Sequence, residues 1–399
     1  MKLSQRVKEV PFSAIRKLTP LSDAAEKAGK KVYHLNIGAP DTKTPEEFLD
    51  AIRAIELQTI DYAPSKGIKE LREATCGYYA RRGKSYDPEK DIVITSGASE
   101  ALRFAVETIC DIGDNIVTTN PFYSNYQTMA KEIGIKMKTF DTIIDQGYRL
   151  PSKDVIQEAI DERSRAILIS NPSNPTGAVY SHEEIQRIVD VALENDLFII
   201  ADEVYSEFIF DGAEFASFTG VEGIDDRLIL MDSISKRFGA CGARIGALIC
   251  KNPEIMDGVV RLATSRLAVS TVDQIGAAAL YDVSDAYFRN VNDEYNRRRH
   301  AIYEELTKLD GVKVTMPEGA FYVMPELPVK DTDDFAAWLL NDFEDEGETV
   351  MVAPAFGFYQ NNDAGKTQVR LAYVINEKDI RRAIQILGKA LVEYKKDHE

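Results

Sequence analysis

The sequence predicts an α/β protein: a mainly parallel, buried sheet between helices, followed by a smaller α+β domain. Three observations predict it. Short apolar runs alternate with helical patterns through the middle of the chain. Polar clusters containing glycine, proline or serine sit where those runs end. From about residue 280 the alternation stops and a long charged helical pattern opens a different texture. Continuous apolar runs are what strands buried on both faces require. Strands separated by helices of about 10–15 residues read as βαβ units.

The elements follow in chain order. The first 44 residues show no strand–helix rhythm and are expected to join residues 280–399 in the smaller domain, leaving 45–279 as the large one. In LNIGAPD, Gly38 allows close backbone approach. DIVITSG leads into ASEALRFAVETI, NIVTTNP into YSNYQTMAKEIG, and RAILISNP into SHEEIQRIVDVALEN. LFIIADEVY, RLILMDSIS and ARIGALICKN complete the series. Then come a helix at DAYFRNVNDEYNRRRHAIYEELTKL, strands at GVKVTM and AFYVMPEL, a helix at TDDFAAWLLNDFEDEG, strands at TVMVAPA and TQVRLAYV, and a final helix.

Composition narrows the function. The 399 residues carry 48 Lys and Arg against 65 Asp and Glu, a net charge of −17. Nucleic-acid binding needs a basic face, so no nucleic-acid partner is expected. The opening MKLSQRVKEVPFSAIRKL is basic but has no apolar h-region and no cleavage site. No apolar run reaches the length of a membrane span. A cytoplasmic protein without a membrane partner is expected. The four cysteines form no CxxC and the four histidines no HExxH, so neither a disulfide framework nor a metal is expected.

In open sheets of this kind ligands bind beyond the carboxyl ends of the strands. SGAS, NPFY, NPSNPTG, DEVY and SISK fall there. Lys236 lies in SISKRFGACGARIG, among Ser233, Ser235, Gly239, Ala240, Gly242, Ala243 and Gly246. A lysine in an apolar setting has a depressed pKa and can attack a carbonyl; a lone lysine is more often a turn residue. Asp202, after LFIIA, can pair with a protonated ring nitrogen or cap a helix. Tyr205 can face the same cleft or pack in the core. Asn174 can hydrogen-bond a ligand oxygen from a loop whose path the prolines fix. The backbone of Gly97, Ala98 and Ser99 starts a helix and forms an anion site, to which Ser233 and Arg244 can add donors. Tyr123 can stack on a flat ring. Arg370, inside a β-patterned stretch, needs a partner: a carboxylate ligand or an ion pair within the protein. A cofactor with an aldehyde, a pyridine ring and a phosphate uses all of these parts.

On these motifs the chain resembles the class I/II aminotransferases, pyridoxal-phosphate enzymes of fold type I, and most of all the aspartate aminotransferases. SISKRFGACGARIG carries the resemblance most specifically. NPSNPTG, DEVY, DYAPSKGIKELREA, NPFYSNY and VRLAYV follow the family's order and spacing across nearly the whole chain. The resemblance implies a seven-stranded sheet, pyridoxal 5'-phosphate as cofactor and a homodimer with shared active sites. It implies that Lys236 carries the cofactor and later moves a proton, that Asp202 keeps the ring nitrogen protonated, and that Tyr205 and Asn174 bond its phenolic oxygen. Tyr123 stacks on the ring. Gly97, Ala98, Ser99, Ser233 and Arg244 hold the phosphate, and Tyr62 reaches the phosphate of the neighbouring subunit as part of its catalytic machinery. Arg370, with Asn174 and the backbone of Gly38, binds the substrate α-carboxylate.

The implied reaction is transamination of L-aspartate with 2-oxoglutarate, in ping-pong fashion through pyridoxamine phosphate. Arg266 stands four positions before Ser270, the spacing of an arginine that reads a distal carboxylate across the dimer. Other members place a lysine after the phosphate-loop glycine for that purpose; the residue that stands there in this chain is Ser99. Tyr123, where many aspartate enzymes carry tryptophan, leaves aromatic or broad specificity open. A fold-type-I lyase of the C–S β-lyase kind shares most of the lysine-side motifs. A cofactor-binding regulator is the distant alternative.

Overall fold

Six of the apolar runs become strands of one sheet, and almost every residue in them is buried. In the computed structural model, which describes residues 2–398, the chain opens its strand series with β1 (Lys31–His34). The large sheet follows: β2 (Ile92–Thr95), β3 (Asn115–Asn120), β4 (Lys136–Asp141), β5 (Ser164–Ser170), β6 (Phe198–Asp202), β7 (Leu228–Ser233) and β8 (Gly246–Ile249). Four short strands come later: β9 (Tyr322–Val323), β10 (Glu348–Met351), β11 (Ala353–Pro354) and β12 (Val369–Ala372).

The seven-stranded sheet has the order β2-β8-β7-β6-β5-β3-β4. All pairings are parallel except the two that β8 makes, with β2 and with β7. The reversal of β8 positions the site: the amino end of β8 comes to the same edge as the carboxyl ends of β2, β3, β5, β6 and β7. β4 was not among the apolar runs. In KMKTFD only Met137 and Phe140 are buried, the half-polar pattern of an edge strand.

Helices cover the sheet at Ala98–Ile109, Asn125–Ile133 and His182–Glu194. The last begins with a capping box: Ser181 Oγ accepts from the Glu184 backbone N–H at 3.2 Å, and Glu184 Oε2 accepts from the Ser181 N–H at 2.8 Å.

The smaller sheets carry the other wall of the site. β12 lies between β11 and β9, antiparallel to both. β1 pairs in parallel with β10, Lys31 opposite Glu348 through His34 opposite Met351. The chain then stays in step: Leu35 N donates to Met351 O at 2.9 Å and Ala372 N to Leu35 O at 2.7 Å. Asn36 and Gly38 are thereby laid beside Arg370 on β12. Tyr205 and Phe208, just beyond β6, pack in one apolar cluster with Leu35, Phe321, Tyr322, Leu371 and Ile384.

Three expectations are corrected. The first 44 residues do contain regular structure, a helix at Thr19–Lys27 and β1; the helix buries only Ser22 and Ala25, so its sequence shows no apolar stripe. GVKVTM forms no strand, only one bridge between Lys313 and Glu326. TVMVAPA splits at Val352 into β10 and β11, which join different sheets. Among the described residues no helix is long and apolar enough to cross a membrane.

Candidate active site

Lys236 is the third residue of a single helical turn, Ile234–Arg237, that leaves the end of β7. Its Nζ donates to Gly38 O at 2.8 Å and lies 3.9 Å from Cys241 Sγ. Burial holds the ammonium pKa below the ordinary lysine value, and the charges of Arg370 and Arg244 push it the same way against Cys241 and Asp202. The ammonium form is therefore less favoured here than on an exposed lysine.

The small residues around Lys236 have a steric reason. A Cβ on Gly246 would lie 2.6 Å from the Gly97 carbonyl carbon and 2.7 Å from Ala98 N. Gly97 has φ 72°, and a Cβ there would meet Arg244 Nη2 at 2.4 Å. The backbone thus brings Arg244 directly onto the start of the helix at Ala98, whose first N–H groups have no partner within the helix. Arg244 Nη1 donates to Cys241 O at 3.1 Å and Nη2 to Ser96 O at 3.4 Å. Ser233 Oγ lies 2.9 Å from Ser235 Oγ. A guanidinium, two hydroxyls and a helix N-terminus form a cradle with the chemistry of an anion site.

Asp202 ends β6 and is buried. The Tyr126 hydroxyl donates to its Oδ2 at 2.5 Å, and the Val204 N–H reaches Oδ1 at 3.4 Å. Burial raises the carboxyl pKa, while the two hydrogen bonds and Lys236 pull it back. Tyr123 sets its ring edge-on to Tyr126, centroids 5.5 Å apart.

Arg370 is 1% exposed, yet among the described residues no carboxylate pairs with it. Its Nη1 donates to Asn174 Oδ1 at 3.1 Å and its Nη2 to Asn36 O at 2.6 Å, while Nε has no partner. The guanidinium carbon is 4.4 Å from the Tyr322 ring centroid and 5.0 Å from that of Phe358. Among the described residues, then, no ion pair accounts for this buried cation. Tyr205 OH lies 2.8 Å from Tyr322 OH.

The structure brings Lys236, Asp202, Tyr205, Asn174, Tyr123, Arg244, Ser233, the Gly97–Ser99 turn, Gly38 and Arg370 to one edge of the sheet. Two residues stand apart. Tyr62 is 82% exposed on the surface of the chain. Arg266 is turned inward: its Nη2 donates to Ser65 O and Ile94 O, both at 3.2 Å, and its Nε is 3.7 Å from Glu100 Oε1. Within this chain Nη2 ties the β2 end to its neighbours, while Nε and Nη1 have no hydrogen-bond partner among the described residues.

Comparison with known proteins identifies the family. A family model described as aminotransferase class I and II matches residues 30–387. The chain belongs to the class I and II aminotransferases. It is 31% identical to aromatic-amino-acid aminotransferase 2 of Thermococcus litoralis, over 99% of this chain and 100% of that one. It is 28% identical to the aspartate aminotransferase of Bacillus subtilis, over 96% and 98% of the two chains. Aspartate aminotransferase from Thermus thermophilus with maleate superposes with a TM-score of 0.88 at 28% identity, covering 98% of this chain and 100% of that one.

Three residues of this aminotransferase's site escaped sequence reasoning: Asn36, Tyr126 and Tyr322. Tyr126 stands three residues after Tyr123 and four before Ala130, on the buried stripe of its helix, which reads as core. Asn36 is fully buried two residues before Gly38; a buried amide in LNIG was the available signal.

Proposed function

We propose that this aminotransferase uses pyridoxal 5'-phosphate to move the amino group of L-aspartate to 2-oxoglutarate in two alternating half-reactions. One observation carries the reading: a buried arginine without an acidic partner, Arg370, joined through Asn36 to the strand exit where Gly38 holds Lys236 Nζ. An α-carboxylate at Arg370 sets the substrate Cα near that amine.

The residues fit the cofactor. The cradle of Gly97, Ala98, Ser99, Ser233 and Arg244, closed so tightly that a Cβ on Gly97 or Gly246 would collide, suits a phosphate. Bound there, the cofactor supplies an aldehyde for amines and a ring that spreads the negative charge left when an α-proton departs. Lys236 would hold it through Nζ and Asp202 would bond its ring nitrogen. Tyr205 and Asn174 would meet its phenolic oxygen, and Tyr123 its face. Tyr62 would reach the phosphate from a second copy of the chain, a reading that its exposure supports together with exposed Leu57 and Ile60. With the cofactor bound, Lys236 Nζ, whose ammonium form burial disfavours, would be placed to take the proton from the substrate Cα. Arg370, Asn174 and the Gly38 backbone hold the α-carboxylate still meanwhile.

The aspartate assignment is supported by the relatives named aspartate aminotransferase. A second reading, an aromatic donor, is favoured by the rings of Tyr123, Tyr322 and Phe358 near Arg370 and by the Thermococcus litoralis relative. Adding L-aspartate to the cofactor-loaded protein without an acceptor separates the two. One equivalent of oxaloacetate per subunit, with a change in cofactor absorption, is the expected result. No oxaloacetate, with 2-oxo acid formed from L-phenylalanine instead, would overturn the aspartate assignment in favour of the second.

A further inference from the structure

A dicarboxylic substrate brings two anionic ends, and Arg370 answers one. Arg266 Nη2 is held within the chain by the carbonyls of Ser65 and Ile94, beside Glu100, so a cation linked to the Arg370 site itself is the better candidate for the second end.

The turn at residues 13–17 lies against the back of the Arg370 site. Its first bonds are local: Arg16 N donates to Ser13 O at 3.1 Å and Lys17 N to Ser13 O at 2.9 Å. Asn36, whose carbonyl takes Arg370 Nη2, donates its own Nδ2 to Ile15 O at 2.8 Å. Two hydrogen bonds therefore lead from the Arg370 guanidinium to the residue before Arg16. On the other side, Ala14 packs so closely on Gly357 that a Cβ there would lie 2.5 Å from Ala14 Cβ, next to Phe358, whose ring faces Arg370.

The two cations of this turn differ. Lys17 is committed, paired with Asp333 and 3.9 Å from the Phe356 ring centroid. Arg16 is exposed, and among the described residues its side chain makes no ion pair and no hydrogen bond. Its charge is nevertheless felt in the site. Burial pushes the Tyr123 phenol pKa up, and Arg370, Arg16 and Arg244 each draw it back.

We infer that Arg16 binds the side-chain carboxylate of a dicarboxylic substrate whose α-carboxylate is held by Arg370. The inference rests on the acidic-substrate reading given above. A guanidinium forks onto a carboxylate through two parallel N–H bonds. A guanidinium with no hydrogen bond or ion pair among the described residues breaks no existing bond when it turns toward the ligand.

The test is binding to the cofactor-loaded protein of two unreactive acids, maleate with two carboxylates and 3-phenylpropionate with one, followed by calorimetry. The parent is expected to prefer maleate. Arg16→Met, which keeps the aliphatic stem, should weaken maleate roughly tenfold, the order expected for hydrogen bonds to a charged group. It should leave 3-phenylpropionate and the melting temperature unchanged, and Arg16→Lys should recover part of the loss. If the parent prefers maleate and Arg16→Met keeps that preference, the inference is overturned while the acidic-substrate reading stands. If the parent binds both acids alike, the acidic-substrate reading fails and takes Arg16 with it.

Discussion

Tyr126 donates its hydroxyl hydrogen to Asp202 Oδ2 at 2.5 Å, and both side chains are buried. Burial pushes the Asp202 carboxyl toward its protonated form, and this bond favours the ionised one. Tyr126→Phe removes the bond and leaves the burial. The carboxyl pKa then rises further, so the acid limb of the activity profile moves to higher pH. Activity on the acid side should fall roughly tenfold, the order expected for one hydrogen bond to a charged group. The profile of kcat/KM against pH checks this; an unmoved acid limb refutes it.

Lys236→Ala should lower turnover by at least ~10³-fold, within the range general acid–base catalysis supplies. It should not lower the melting temperature. Burial already disfavours the Lys236 ammonium, so its loss relieves a desolvation cost that offsets the lost hydrogen bond to Gly38 O. Thermal unfolding and turnover of the same preparation report the two effects separately. Turnover near the parent rate would remove Lys236 from the mechanism.

Gly38 is limited by Tyr322. A Cβ on Gly38 would fall 1.8 Å from the Tyr322 hydroxyl oxygen and 2.5 Å from the ring carbon that bears it. Gly38→Ala therefore displaces the ring that stacks on Arg370, at a cost of about 1–3 kcal/mol. Stability should fall, and KM for the amino acid should rise more than kcat changes. Removing the hydroxyl with Tyr322→Phe should not rescue it, because ring atoms also lie within the clash.

Glu203 gives a pH dependence that is independent of the chemistry. Burial pushes its carboxyl up from 4.5 to about 7, although Ser217 Oγ at 2.7 Å and the Phe218 N–H at 2.9 Å bond it. Between those two pH values the folded protein binds more protons than the unfolded chain, so stability falls as pH rises. Glu203→Gln keeps an acceptor for the Phe218 N–H, turns an amide N–H toward the Ser217 hydroxyl, which can accept it, and abolishes the titration. Its melting temperature should match the parent's near pH 4.5 and exceed it above about pH 7. Parallel curves for the two proteins across that window would contradict the assignment.

The large sheet was legible because its strands are buried on both faces and so read as unbroken apolar runs; β4 was missed because an edge strand needs no such run. Lys236, Asp202, Asn174 and Arg370 were legible because each follows or interrupts a β-patterned stretch, where a polar group demands an explanation. Tyr126 and Tyr322 were hidden, because a tyrosine on an apolar stripe looks the same whether its hydroxyl ends in a core or on a carboxylate. For Arg266, spacing fixes how far along the chain the side chain starts, but not that carbonyls of its own chain take hydrogen bonds from Nη2.

Ser233 and Gly246 face each other as register partners on β7 and β8. The segment that carries Lys236 and Arg244 is thus a closed excursion between two paired residues, with both ends clamped by the same ladder. Its length is a dimension of the molecule. An insertion anywhere within it would leave the sheet intact and alter the distance between amine and guanidinium, whereas an insertion in the exposed turn at Gly223 would alter neither. Tolerance to added residues should therefore drop sharply between these two loops, although both connect to the same strand.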